Sequence, residues 1–268
     1  GKNMRFYIAV VTLIAAISTT AQAQTREVSL EGVTVYDPQE LLEFAMQVSI
    51  AQYGAVNVAV LPEIIEVIYR EDGYFLAEVF SEPDGTSFYV DEGAIDSVLI
   101  DGADSETAAL IRKYMQPLLA ERPTTLPAFE RAIMLSEDIG SISVTSEVDY
   151  PNPNGAAELR LIATQENASN GFITLEHPAR RLGKEVVLTF GQTFLSALTP
   201  GDLLGIELSG SGDFKGDDTV FGTLRYRMPI GGSGAFAEAY FGNVGARRDV
   251  DGALEETDIA GRTAILAL

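Results

Sequence analysis

The stretch Asp91-Glu92-Gly93-Ala94-Ile95-Asp96-Ser97-Val98-Leu99-Ile100-Asp101-Gly102 decides the fold, because it sets a strand from Ile95 to Ile100 ahead of a helix beginning at Ser105. That helix carries Ile111, Met115 and Leu118 on one face, the spacing of an amphipathic helix. A second helix follows around Phe129, Ala132 and Ile133 and ends near Gly140. Strands from Ile142 to Val148 and from Ala157 to Ala163 flank the turn-rich Tyr150-Pro151-Asn152-Pro153-Asn154-Gly155 and complete a β-α-α-β-β unit.

Upstream, the same order occurs once more. Val28 to Val35 reads as a strand, and Asp37-Pro38-Gln39-Glu40 supplies an N-cap, a first-turn proline and a third-position glutamate. Leu41, Ala45 and Val48 form one helical face; past Gly54 a second helix aligns Leu61, Ile64, Ile65 and Ile68 and stops at Gly73. Phe75, Ala77 and Val79 then alternate with more exposed positions, Glu82-Pro83-Asp84-Gly85 is turn chemistry, and Phe88-Tyr89-Val90 returns as a partner strand. Two units of like length and order predict a tandem repeat. On periodicity alone, two α+β domains without shared origin fit as well.

Ahead of both units, Arg5 precedes an apolar run from Ile8 to Ile17 and small residues at Ala21 and Ala23, the layout of a secretory signal cleaved between Ala23 and Gln24. The run is too short to span a bilayer, which takes about twenty residues.

Past residue 166 the helical period disappears. Phe172–His177, Glu185–Phe194, Leu203–Ser211, Thr219–Met228, Ala235–Val244 and Asp258–Leu268 alternate in polarity between turns and read as meander strands. Leu204, Ile206 and Leu208 oppose Gly205, Glu207 and Ser209, so one face is apolar and the other polar. A soluble sandwich and a transmembrane barrel share that pattern, but a barrel must close, and its smallest form needs about eight strands. The chain is therefore expected to be an N-terminal fragment with C-terminal strands missing. Gly212–Asp218 and Arg247–Thr257 read as acidic loops, and Pro229-Ile230-Gly231-Gly232-Ser233-Gly234 as a turn.

Composition narrows the chemistry. With 39 acidic and 18 basic side chains among 268 residues the net charge is −21, which opposes binding to phosphate backbones. The absence of cysteine removes disulfides and thiolate sites, and a single histidine leaves little imidazole chemistry. His177 has no serine or aspartate pattern marking a triad, the acids from Asp249 fail the calcium-loop spacing, and Gly183-Lys184 is followed by Glu185 rather than by Ser or Thr. Arg180, Arg181 and Lys184 form a basic cluster that fits either lipid head groups or a turn. No enzyme activity, cofactor, metal or nucleotide is expected.

Several of these segments resemble one family. Asp91 to Gly102 is similar to the start of the second POTRA domain of two-partner-secretion outer-membrane transporters, the haemolysin activation/secretion proteins. Phe129-Glu130-Arg131-Ala132-Ile133-Met134-Leu135 with Ile139-Gly140-Ser141-Ile142 resembles the second helix of that domain and its exit. Gly201-Asp202-Leu203-Leu204 and Leu224-Arg225-Tyr226-Arg227-Met228-Pro229-Ile230-Gly231 resemble early strands of the family's barrel. The resemblance implies a signal peptide at 1–23, POTRA-like domains at 24–92 and 93–166, and the first part of an outer-membrane β-barrel at 167–268. It further implies periplasmic POTRA domains that capture an unfolded secreted partner, a barrel in outer-membrane lipid, and no nucleotide or nucleic acid. A barrel-assembly factor and a periplasmic protein-binding adaptor are the alternatives. Client capture would use exposed strand edges, with Phe75, Ala77 and Val79 as candidates in the first unit and Ser141, Ser143 and Thr145 in the second.

Overall fold

The computed structural model describes residues 28–150, 157–177, 186–212, 218–250 and 253–267. The expected signal peptide with its Ala23–Gln24 cleavage point lies outside these residues, as do Arg180, Arg181, Lys184, Asp213 and Asp217. Two compact units divide the chain: one runs to Val67 and takes in Glu78–Asp91, the other comprises Ile68–Ala77 and everything from Glu92 onward.

In the first unit, β1 (Ser29–Glu31) is shorter than the sequence suggests and runs parallel to β3 (Ser87–Asp91), while β2 (Glu78–Ser81) pairs antiparallel with β3. The sheet order is β1-β3-β2. Helix α1 (Pro38–Tyr53) starts where expected, because the Asp37 carboxylate accepts the Gln39 and Glu40 amides at 2.9 and 3.0 Å. It ends at Gly54, whose φ of 79° lets its amide reach Ile50 O. Its buried face is Leu41, Ala45 and Ser49 instead of Leu41, Ala45 and Val48. A polar side chain is tolerated there because Ser49 Oγ accepts the Asn57 amide at 2.9 Å. Helix α2 (Leu61–Glu71) places Leu61, Ile64 and Ile65 in the core.

The second unit opens with the same construction. β4 (Ile95–Asp101) runs parallel to β6 (Ala157–Gln165), and β5 (Ile142–Asp149) pairs antiparallel with β6, giving the order β4-β6-β5. Helices α3 (Ser105–Ala120) and α4 (Leu126–Glu137) cover one face, with Ile111, Met115, Leu118 and Ala132 in a core shared with Leu159 and Leu161. Expected and observed strand order agree, so both segments are β-α-α-β-β motifs.

Residues Ile68–Ala77 complete the second core instead of extending the first sheet. Tyr69 is fully buried and its hydroxyl donates to Glu92 Oε1 at 2.8 Å. Phe75 packs against Phe129 with ring centroids 5.3 Å apart, and Leu76 joins the Ile95–Leu159 cluster. Backbone bonds from Leu126 N to Gly73 O and from Thr124 N to Gly93 O fasten the same segment. Phe75 and Ala77 therefore precede β2 and serve packing; of the three edge candidates named for the first unit, Val79 alone lies in the strand.

Six further strands form an antiparallel meander in the order β12-β11-β10-β9-β8-β7: β7 (Ser169–Glu176), β8 (Val186–Leu195), β9 (Leu203–Gly212), β10 (Asp218–Ile230), β11 (Ala235–Val250) and β12 (Ala253–Ala267). The strands outrun their expected ends. Pro229 and Ile230 continue β10, and the supposed loop over 247–257 is largely the β11–β12 hairpin. Its register sets Arg247 opposite Glu256 and Arg248 opposite Glu255.

Two outcomes follow for the second unit. Leu76→Ala should lower its stability by about 3 kcal/mol, the cost of a core truncation, although residue 76 precedes the motif in sequence; chemical denaturation followed by the tyrosine signal checks this. The Asp104 carboxylate caps α3, and bonds from the Thr107 amide and hydroxyl, with that of Glu106, hold its pKa below the ordinary value. Its contribution is complete above the unfolded Asp pKa, about 3.9, and is lost as pH falls through the lowered folded value. Asp104→Ala should destabilise the unit at neutral pH and flatten its stability profile at the acid end, as read by melting temperature against pH.

Candidate functional site

An antiparallel strand at a sheet edge points alternate N–H and C=O pairs away from its partner. For β5 the Glu166 amide donates to Ser141 O in the register of the ladder, which fixes the parity of the edge. Ser143, Thr145, Glu147 and Asp149 therefore turn their backbone groups toward β6, and Ile142, Val144, Ser146 and Val148 turn theirs outward. The candidates Ser143 and Thr145 display exposed side chains on the solvent face, but their amides serve the internal ladder. Outward donors come from the residues between them. Ser141 precedes the strand and is buried. No side chain is recorded accepting from the outward β5 amides among the described residues, so about 26 Å of edge is available at 3.3 Å per residue.

For β2 the Glu82 amide donates to Ser87 O in register, which turns Val79 and Ser81 outward. Here the Val79 amide donates at 2.9 Å to Oε1 of Glu66, a half-buried side chain on α2. The two edges thus differ: one is bare and the other carries a carboxylate on its first outward donor.

The turns of the meander meet the second motif. Between β8 and β9, Asp202 is 1% exposed and its carboxylate accepts the amides of Ala197, Leu198 and Thr199 at 2.6, 3.1 and 2.8 Å and the Tyr226 hydroxyl at 2.9 Å. Gathering these donors shapes the turn so that Ser196 takes a φ of 51° and its Oγ accepts the Gly201 amide and shares a 2.7 Å hydrogen bond with Ser141 Oγ. Ser141 is the residue from which β5 departs. At the next turn, Arg131 of α4 donates to Ser233 O, and Gly232 lies so close to α3 that a Cβ would stand 2.5 Å from Lys113 O. In the sequence, Gly201-Asp202-Leu203-Leu204 stands out for its resemblance and the aspartate has no role of its own; three consecutive amides around one buried acid is the signal that the fold adds.

The register also sorts the meander into two faces. Ile173, Phe190, Leu208, Leu224 and Phe241 stand on one, and the first four belong to cross-strand pairs or neighbours that leave a contiguous apolar surface exposed. The opposite face carries Thr189 bonded to Ser209 at 3.1 Å, Glu207, and Arg225 donating twice to Glu238 at 3.0 and 2.6 Å. Arg227 lies 3.9 Å above the Phe236 ring on the same face. Among the described residues no single helix is long and apolar enough to cross a membrane, and no cluster of histidine or acidic residues is arranged to hold a metal. His177 is exposed just beyond the end of β7.

No protein-family model matches the chain, and no curated protein matches it. Solved structures do. CdiB from Escherichia coli aligns with 94% of the chain at a TM-score of 0.66 and 17% identity, and CdiB from Acinetobacter baumannii with 89% at 0.61 and 13%. BamA from Haemophilus ducreyi lacking POTRA domains 1–3 aligns with 90% at 0.51 and 19%. The chain covers 49%, 48% and 47% of those structures, about half the length of each. The resemblance seen in the sequence is thus a shared fold, running through both the helical motifs and the meander.

The turn around Asp202 generates a prediction. Asp202→Ala leaves three turn amides and the Tyr226 hydroxyl without their shared acceptor and should cost on the order of 2 kcal/mol. Asp202→Asn retains one acceptor oxygen and should cost less. Thermal loss of β-structure by circular dichroism in detergent micelles checks the order wild type, Asn, Ala.

Proposed function

We propose that the chain acts at a bacterial outer membrane in the export of an unfolded partner protein, with the meander embedded in lipid as part of a barrel and the β-α-α-β-β motifs on the periplasmic side as POTRA domains. The observation that carries this reading is the two-faced meander: a broad exposed apolar surface fits hydrocarbon, and the face bearing Arg225, Glu238 and Glu207 fits a wet lumen. The fold shared with the two CdiB structures agrees with the transporter resemblance read from the sequence and so supports export, and the lower TM-score to BamA leaves barrel assembly as the second reading. Neither reading calls for a catalytic group, a cofactor or nucleic acid. Lipid on the apolar face and a protein client on the motifs are the partners it requires.

Capture is assigned to the β5 edge. An extended client adds to the outward groups of Ile142, Val144, Ser146 and Val148, drawing affinity from main-chain hydrogen bonds and little from side-chain identity. The start of β5 is tied through Ser141 to the β8–β9 turn, so an added strand is held alongside the meander.

Proline scanning tests this. Ser146→Pro deletes an outward donor and is compatible with an edge strand, whereas Ser143→Pro deletes a donor to β6 and should destabilise the sheet itself. With a labelled extended peptide of alternating threonine and valine as probe, Ser146→Pro should keep the wild-type melting temperature and lose about tenfold in affinity. Ser143→Ala should change neither. Unaltered binding by folded Ser146→Pro would remove β5 from the mechanism. Fractionation of the full chain tests placement: recovery in the outer membrane supports the reading, and a soluble periplasmic product favours the adaptor.

A further inference from the structure

The two open edges obey one backbone rule and present different surfaces, and the difference lies in a single side chain. Glu66 stands one turn beyond Pro62 on α2, half-buried, with Oε1 2.9 Å from the amide of Val79. Val79 and Ser81 are the outward-facing residues of β2, so the carboxylate occupies the position that the carbonyl of an incoming strand would take. A hydrogen bond from an amide to a charged acceptor is roughly twice as strong as one to a neutral carbonyl. An ordinary extended segment therefore does not displace Glu66 for free.

We infer that Glu66 is a latch on the β2 edge of the first unit, and that this edge admits an extended segment bearing a lysine or arginine that receives the carboxylate as the strand takes over the Val79 amide. The exchange is balanced in hydrogen bonds: the Val79 donor passes from Glu66 to a client carbonyl, and the freed carboxylate, which is half-buried, passes from Val79 to the client's cation. An uncharged client satisfies the amide and strands the carboxylate, a costly arrangement for a partly desolvated charge. Charge complementarity points the same way. Glu63 lies one turn before Glu66 on α2, Glu78 and Glu82 bracket β2, and the chain as a whole carries −21. The exposed Phe80 and Tyr89, paired across β2 and β3, add an apolar rim on the solvent face of the same sheet.

The inference rests on the strand-addition reading given above and differs from it in where it acts. At β5 the sequence of the client matters little, because no side chain among the described residues holds an outward amide. At β2 the client must bring a cation, so the first unit contributes selectivity and the second contributes affinity. A segment carrying a basic residue can engage either edge; a neutral one engages β5 alone.

The test uses the full chain in detergent micelles with two labelled probes: an extended threonine–valine peptide carrying one central lysine, and the same peptide with glutamine in its place. Site-resolved amide hydrogen exchange supplies a readout that does not depend on any peptide. Glu66→Ala should speed exchange at Val79 about tenfold in the free protein, the size of one hydrogen bond to a charged group, while Val144 and Ser146 are unaffected. Glu66→Gln keeps a weaker, neutral acceptor and should speed exchange at Val79 by less than Glu66→Ala does. Peptide-induced protection at Val79 and Ser81 in the wild type should favour the lysine probe by about tenfold, and both variants should lose that preference. The glutamine probe should bind Glu66→Ala at this edge about tenfold more tightly than it binds the wild type. Unchanged exchange at Val79 in Glu66→Ala, or a lysine preference that survives in Glu66→Gln, overturns the latch. Failure of the broader reading has a different signature: no probe protects Val144 and Ser146, whatever happens at Val79.

Discussion

Every sheet edge leaves alternate backbone donors and acceptors without a ladder partner, and the disposal of those groups organises this molecule. The described residues form three sheets, and the problem is answered differently in each. In the first, a helix side chain caps a donor of β2. In the second, no side chain among the described residues caps an outward amide of β5. The meander leaves β7 and β12 as the outer members of its order, with side chains of β7 exposed throughout. Edges are ordinarily blunted because they invite association. A protein that handles unfolded chains has a reason to keep one open, and β5 is the edge most simply read that way.

An open edge is useful only if the strand bearing it is held in place. The second motif is held by its turns against those of the meander, and the chemistry there is backbone capture by a few polar side chains. Asp202 collects three amides and a phenol, Ser196 and Ser141 share a hydrogen bond, Arg131 takes a carbonyl, and Gly232 permits the main chains to approach. None of these contacts is large in area. Their number, and the burial of the Asp202 carboxylate at their centre, make the turn geometry specific, since losing the acid strands several donors at once.

The sequence made the helices and the motif repeat legible because caps and periodic faces are local: Asp37-Pro38 starts α1 and Gly54 ends it, with no need of tertiary information. The meander was legible as alternation, and its strand number agrees. Strand ends were less so. The 247–257 stretch looked like a loop because charge was counted along the chain, whereas the ladder pairs it across two strands. Phe75 and Ala77 were read as an edge since alternation does not distinguish a strand from an apolar connector that fills a neighbouring core. Asp202 and Glu66 were invisible as functional residues for a related reason: an acid that accepts amides is indistinguishable in sequence from one in solvent. The edge candidates Ser143 and Thr145 lie on β5 with their amides turned toward β6, a parity that one hydrogen bond, Glu166 to Ser141, decides.

That same parity connects capture to direction. Ser141 turns its carbonyl to Glu166 and its hydroxyl to Ser196, so the residue that sets which amides of β5 face outward is also the residue that ties β5 to the β8–β9 turn. Register and attachment are therefore one constraint. A segment added to β5 inherits its position from the ladder and, through Ser141, its position relative to the meander. If Ser141 were displaced by one residue, the outward set would become Ser143 and Thr145, whose side chains are exposed, and the apolar residues Ile142 and Val144 would leave the helices they cover. The core under α3 and α4 thus enforces which backbone groups of β5 face outward, and the proposed recruitment at this edge would follow from how the second motif buries its own apolar face.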